Sequence, residues 1–141
     1  MIVVTGVAGR LGDRVARLLI ERGYDVVGND QQAPKGFPAK FVQGDLRDRE
    51  AVDRLLDGAE AVIHMGAHPG PARMEPRAIF ANNVDSTFNI MMSAAEKGLR
   101  RVVFSSSAFA MGWAHQGDAF VPRYLPLDED HPMMPFEPYG L

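Results

Sequence analysis

Apolar positions along the first hundred residues fall into short unbroken runs, separated by stretches with helical spacing. Ile2–Val4 is the first run, continuous and β-branched, and it leads directly into a glycine-rich turn. Leu11, Val15, Leu18 and Leu19 then recur at helical spacing, which predicts a helix that Gly23 closes. Asp25–Asn29 reads as a short buried strand ending at Asp30, before a loop broken by Pro34, Gly36 and Pro38. Lys40–Gln43 predicts a third strand. Asp48 is placed to cap a helix with the apolar face Ala51, Val52, Leu55 and Leu56, which Gly58 stops. A fourth strand is expected at Ala61–Met65, a long helix from about Pro76 to Lys97 with Gly98 at its end, and a fifth strand at Arg101–Ser105.

Strands that are apolar throughout, and that alternate with helices, predict an α/β fold whose parallel sheet is covered on both faces. Right-handed crossovers then favour the strand order 3-2-1-4-5. From Gly112 onward the pattern fails, and five of the ten prolines lie between Pro122 and Pro138. The expected organisation is a core over residues 1–111 followed by a loop-rich tail over 112–141.

Composition narrows the functional classes. A formal net charge of −3 with no Lys/Arg run argues against a nucleic-acid surface. The absence of cysteine removes disulfide and thiolate chemistry. No apolar run approaches the roughly 20 residues that span a bilayer, and residues 1–10 read as strand and turn, not as a signal peptide. A cytoplasmic protein without membrane contact is the expectation.

The candidate chemistry begins at Thr5–Gly12, TGVAGRLG. A strand, a glycine turn and a helix N-terminus together make an anion site, because the free N–H groups around Arg10 and Leu11 point at it. Gly6 permits the turn, Gly9 lets the backbone approach a phosphate, and Gly12 lets the helix pack close to the sheet. Asp30 follows 18 residues after Gly12. A carboxylate there can accept from both hydroxyls of an adenosine ribose and would repel a 2′-phosphate. Gln31, Gln32 and Ala33 bring no positive charge that would reverse that preference. No Gly-Lys-Ser/Thr follows the glycines, which excludes a P-loop. His64 reads as a satisfied core histidine, and His68, His115 and His131 lie in separate loops without metal-ligand spacing, so no metal is expected. Asp128–Asp130 reads as a solvated acidic loop, and Trp113 either lines a pocket or anchors its own loop.

The blocks Thr5–Gly12, Gly44–Leu46 (GDL), Val62–Ala67 (VIHMGA) and Phe104–Gly112 (FSSSAFAMG) occur in this order, supported by Ala81–Thr87 (ANNVDST) and Pro138–Gly140 (PYG). With them the chain resembles the N-terminal half of an extended short-chain dehydrogenase/reductase, the NAD-dependent epimerase/dehydratase family. The resemblance implies a Rossmann-type doubly wound sheet that binds NAD. It puts Asp45 and Leu46 on the adenine, Met65, Gly66 and Ala67 along the cofactor, Asn83 in support, and Ser105 among the cofactor-binding residues. It also makes Ser107 the catalytic hydroxyl and Tyr139 the catalytic tyrosine of Tyr-x-x-x-Lys. A phenol with a pKa near 10 becomes a useful base only beside a cation, and the family's Lys would fall at position 143, past Leu141. The expectation is therefore a piece of a longer enzyme, with the later strands and substrate domain beyond it and the edge beside strand five unprotected.

The implied activity is hydride transfer from a sugar or sugar-derived hydroxyl to NAD. The alternative is a non-catalytic NAD-binding module. Met111-Gly112 stands where many epimerases have Tyr-Gly, which together with the His64–Ala67 block (HMGA) leans toward uronate or aldose dehydrogenases. Relatives dimerise through the long helix, so a homodimer is expected of the whole enzyme and an exposed stripe with Phe88, Met91 and Met92 of this chain.

Overall fold

The computed structural model describes residues 1–70, 74–112, 122–135 and 137–141. Its elements are β1 (Ile2–Thr5), α1 (Arg10–Glu21), β2 (Val26–Asp30), β3 (Lys40–Gln43), α2 (Arg49–Leu55), β4 (Ala61–His64), α3 (Pro76–Glu96) and β5 (Arg101–Phe104), followed by a 3-10 turn at Ala108–Met111. The strands form one parallel sheet in the order β3-β2-β1-β4-β5, as the alternating pattern predicts.

Successive strand residues point to opposite faces, and here both faces are apolar. Val4 and Val26 pack with Val7 and Ala16 on one side, against α1 residues Val15, Leu19 and Ile20. Val3, Val27 and Val62 face the other side, against Val52 and Leu55 of α2 and Ile90 and Ala94 of α3. Burying each such side chain contributes roughly 1.5–3 kcal/mol, so the sheet's centre is its firmest part. β5 is an edge strand, and Val103 and Phe104 on it are about half exposed (50% and 54%).

The local stops fall where the sequence places them. Asp48 caps α2 by accepting from the N–H groups of Glu50 and Ala51. Gly23, Gly58 and Gly98, just beyond the three helices, take the left-handed conformation that closes a helix. β4 stops one residue short of the expected Met65, because the Thr5 hydroxyl takes the Met65 N–H that would continue the ladder.

The chain divides into two compact units. The first comprises Met1–His68 and Asn82–Ser105 and contains the sheet, α1, α2 and most of α3. The second comprises Pro69–Ala81 and Ser106–Leu141. Among its described residues the 3-10 turn is the one regular element after β5.

Candidate functional site

In the first unit, the carboxyl ends of β1, β2 and β4 open on a cavity of about 260 Å³. Gly6 leaves β1 with φ +73°, and a Cβ on it would sit 2.7 Å from the carbonyl carbon and oxygen of Met65. Gly9 stands at the cap position just before α1, and no side chain caps that helix. The first-turn N–H groups of Arg10, Leu11 and Gly12 therefore carry the positive end of the helix dipole to the turn. Asp30, at the end of the neighbouring strand, accepts the Ala8 N–H on Oδ2 at 2.9 Å and the Gln32 N–H on Oδ1 at 3.4 Å. These bonds aim the carboxylate across the mouth of the turn while lone pairs remain on both oxygens. Phosphates at the turn and a ribose diol at Asp30 match these donors and acceptors.

The opposite wall consists of Met65, Gly66, Ala67 and His68, with the buried side chains of Asn82 and Ser86 on α3. Asn83 stands behind this wall. Its Oδ1 accepts the His68 N–H at 2.8 Å and its Nδ2 donates to the His68 carbonyl at 3.2 Å, while Asn82 Nδ2 donates to Asn83 Oδ1. Asn83→Ala should cost about 2–3 kcal/mol for the three lost bonds and speed amide exchange at His68, read by hydrogen-exchange NMR.

Toward β3 the cavity meets Asn29, Gly44 and Leu46. Asn29 Nδ2 donates to the carbonyls of Val42 and Gly44, and its Oδ1 is buried without a hydrogen-bond partner among the described residues. Asp45 lines a neighbouring cavity of about 250 Å³. The Arg47 guanidinium, bonded to both its oxygens, holds the Asp45 carboxyl below the usual carboxylate range. Asn89 Nδ2 donates to the Leu46 and Arg47 carbonyls and fixes this loop from α3.

Seven of the expected cofactor residues thus line one cavity: Gly6, Gly9, Asp30, Leu46, Met65, Gly66 and Ala67. Arg10 and Leu11 are exposed at the start of α1, and Gly12 is buried beneath the turn. Ser105 follows β5 and donates its N–H to the His64 carbonyl, outside the lining. Asn29, Asn82, Ser86 and His68 are lining residues that the motifs do not single out. Asn82 carries the same signal as Asn83, a polar amide inside a helix.

Ser107 and Tyr139 both belong to the second unit. The Ser107 hydroxyl accepts the Phe109 N–H at 3.3 Å and so caps the 3-10 turn. Phe109 in turn packs edge-to-face on Tyr139, with centroids 5.4 Å apart. Ser107 also lines a cavity of about 500 Å³ with Ser106, Met111, Asp128, Glu129 and His131. There the Tyr124 hydroxyl donates to Asp128 Oδ1 at 2.6 Å, and this carboxylate pushes the phenol up to about 12. Trp113 and His115 lie outside the described residues. Among the described residues no cluster of His, Asp or Glu is arranged to hold a metal ion, and no helix is long and apolar enough to cross a membrane.

A glycine turn at a helix N-terminus, facing an acidic residue at the end of the adjacent parallel strand, defines a doubly wound nucleotide-binding domain. The profile of the NAD dependent epimerase/dehydratase family matches residues 2–141, and the chain belongs to that family. A UDP-glucose 4-epimerase of Bacillus subtilis (strain 168) is 35% identical over 156 residues, which cover 99% of this chain and 43% of the relative. A short-chain dehydrogenase/reductase superfamily protein from Agrobacterium tumefaciens, solved with bound NAD, superposes with a TM-score of 0.85 at 38% identity, covering 99% of this chain and 40% of its own. A UDP-glucose 4-epimerase from Bifidobacterium longum, in complex with NAD+ and UDP, gives 0.81 at 28% identity, covering 99% and 44%. The chain therefore spans less than half the length of these relatives. NAD is the cofactor of the family.

Proposed function

We propose that this chain forms the cofactor-binding part of an NAD-dependent oxidoreductase or epimerase acting on a sugar or sugar-derived hydroxyl. The observation that carries the reading is the pairing of the uncapped α1 N-terminus with Asp30 around one cavity. The N–H groups of the turn hold the pyrophosphate, and Asp30 accepts from the ribose hydroxyls. When bound, NAD supplies the hydride acceptor. Ser107 orients the oxygen of the reacting hydroxyl and Tyr139 takes its proton. The names of the relatives favour a uridine-diphosphate sugar as substrate. Met111 at the position of the usual Tyr favours a uronate or aldose dehydrogenase as the variant within the same chemistry.

Titration calorimetry with NAD and NADP tests the cofactor reading. Wild-type protein should bind NAD more tightly than NADP, and Asp30→Ala should lose at least about tenfold in NAD affinity, the equivalent of ~1.4 kcal/mol. A preference for NADP would overturn it. Incubation with UDP-glucose, followed by product analysis and NADH absorbance, separates epimerase from dehydrogenase. Binding without turnover would favour a second reading, an NAD-binding module. Val84, Phe88, Met91 and Met92 are exposed on α3, and we assign this stripe to a homodimer contact. A monomer in sedimentation equilibrium would count against that assignment.

A further inference from the structure

The buried ends of β1 and β4 contain a polar cluster that the cofactor contacts do not use. Thr5 and His64 are 0% and 5% exposed. Thr5 Oγ1 lies 3.1 Å from the Met65 nitrogen, 3.1 Å from the Gly66 nitrogen and 2.8 Å from His64 Nδ1. A hydroxyl has one proton and two lone pairs. The two backbone N–H groups occupy the lone pairs, so the proton of Thr5 goes to Nδ1. Nδ1 is then an acceptor, and the single proton of a neutral imidazole sits on Nε2. That nitrogen faces Thr87 Oγ1 on α3 at 3.3 Å. Only this arrangement of protons satisfies every group.

The two N–H groups collected by Thr5 belong to residues that line the dinucleotide cavity. They come just past the end of β4, where the strand ladder no longer pairs them. The same segment touches the anion turn, since a Cβ on Gly6 would strike the Met65 carbonyl and the Gly66 nitrogen. A displaced Met65–Gly66 segment would thus disturb two walls of the cavity together.

We infer that His64 is a positioning residue for the cofactor: as a neutral, Nε2-protonated imidazole it accepts the Thr5 proton and so fixes the Met65–Gly66 backbone against the dinucleotide. The inference rests on the dinucleotide reading above. It differs from a space-filling role in what it asks of a substitute. In His64→Asn the side-chain oxygen can take the place of Nδ1 and accept from Thr5, although the side chain is smaller. His64→Leu fills more of the volume and offers no acceptor.

NAD affinity of the two variants, with melting temperature recorded alongside, decides between the roles. His64→Leu should lose about tenfold or more, while His64→Asn stays within about threefold of wild type whatever its melting temperature. Thr5→Val should behave like His64→Leu, and Thr5→Ser like wild type. Tighter NAD binding by His64→Leu than by His64→Asn would overturn the positioning role. Nitrogen-15 NMR of the histidine side chains in wild-type protein needs no ligand and reads the tautomer directly. Nε2–H supports the arrangement, and Nδ1–H or imidazolium at neutral pH overturns it. If wild-type protein binds no NAD, the dinucleotide reading fails and the positioning role with it, while the NMR spectrum still reports on the hydrogen-bond geometry.

Discussion

Gly12→Ala is expected to destabilise the fold by at least about 3 kcal/mol, the upper end of ordinary overpacking, and to abolish NAD binding. An added Cβ would lie 2.1 Å from the Gly6 oxygen, 2.6 Å from the Gly6 carbonyl carbon and 3.1 Å from the Thr5 oxygen. All three are backbone atoms of the strand-to-turn junction, so no side-chain rotation relieves the clash. Helix propensity acts the other way, since alanine is better than glycine in a helix by about 1 kcal/mol. The steric effect is larger and should win. Either α1 slides away from the sheet or the turn shifts, and each outcome moves the N–H groups that the proposed reading assigns to the pyrophosphate. Gly9→Ala, with its nearest contact 3.1 Å away at the Gly6 oxygen, should be milder. Gly23→Ala meets nothing within 4 Å and should cost only the positive-φ strain, about 1 kcal/mol. Urea denaturation of the three variants gives the order. A Gly12→Ala protein as stable as wild type would disprove the contact.

Acid should weaken the fold through His64 before most carboxylates begin to titrate. Burial pushes this imidazole from the ordinary 6.5 down to about 4. Between those values the unfolded chain binds a proton at this residue and the folded chain does not. Stability from this group is therefore complete above pH 6.5 and declines as the pH falls toward 4. At ~1.36 kcal/mol per pKa unit, the loss amounts to about 3 kcal/mol over the interval. Protonation would also place a hydrogen on Nδ1 against the Thr5 hydroxyl, whose own proton already points there. His64→Asn, which has no titrating group at this position, should show a shallower fall in urea-derived stability from pH 6.5 to 4. Equal slopes for the two proteins would mean that His64 becomes protonated as readily in the fold as outside it.

The framework was legible because each of its devices is local. β-branched runs, the Asp48 cap and the closing glycines at 23, 58 and 98 act within a few residues, and parallel pairing follows from the intervening helices, except between β2 and β3, which a loop joins. Gly6, Gly9 and Asp30 were legible for a related reason, since a strand, turn and helix leave few places for their backbones. Residues brought in from afar were less so. Asn82 and Asn83 are adjacent, yet helical rotation of about 100° per residue sends one to the cavity wall and the other to the His68 peptide. Only the seating of α3 over the sheet decides which goes where. Asn29 sits inside an apolar strand, and its position beside two cavities depends on the course of the loop after β3. The turn at Ala108–Met111 is too short to leave a periodic signature, and Ser107 reads as its cap only once the turn is seen.

The bond from the Ala8 amide to Asp30 joins two properties that could otherwise change separately. The carboxylate we assign to the ribose hydroxyls also holds the Ala8 N–H, at the tip of the glycine loop we assign to the pyrophosphate. Converting this protein to the phosphorylated cofactor by exchanging Asp30 for a small residue and adding an arginine nearby would free that loop while relieving the repulsion. A working conversion would need a second change that gives the Ala8 N–H a neutral acceptor. On the proposed reading the same coupling would make Asp30 costly to replace in a single step, because loop shape and charge would change together.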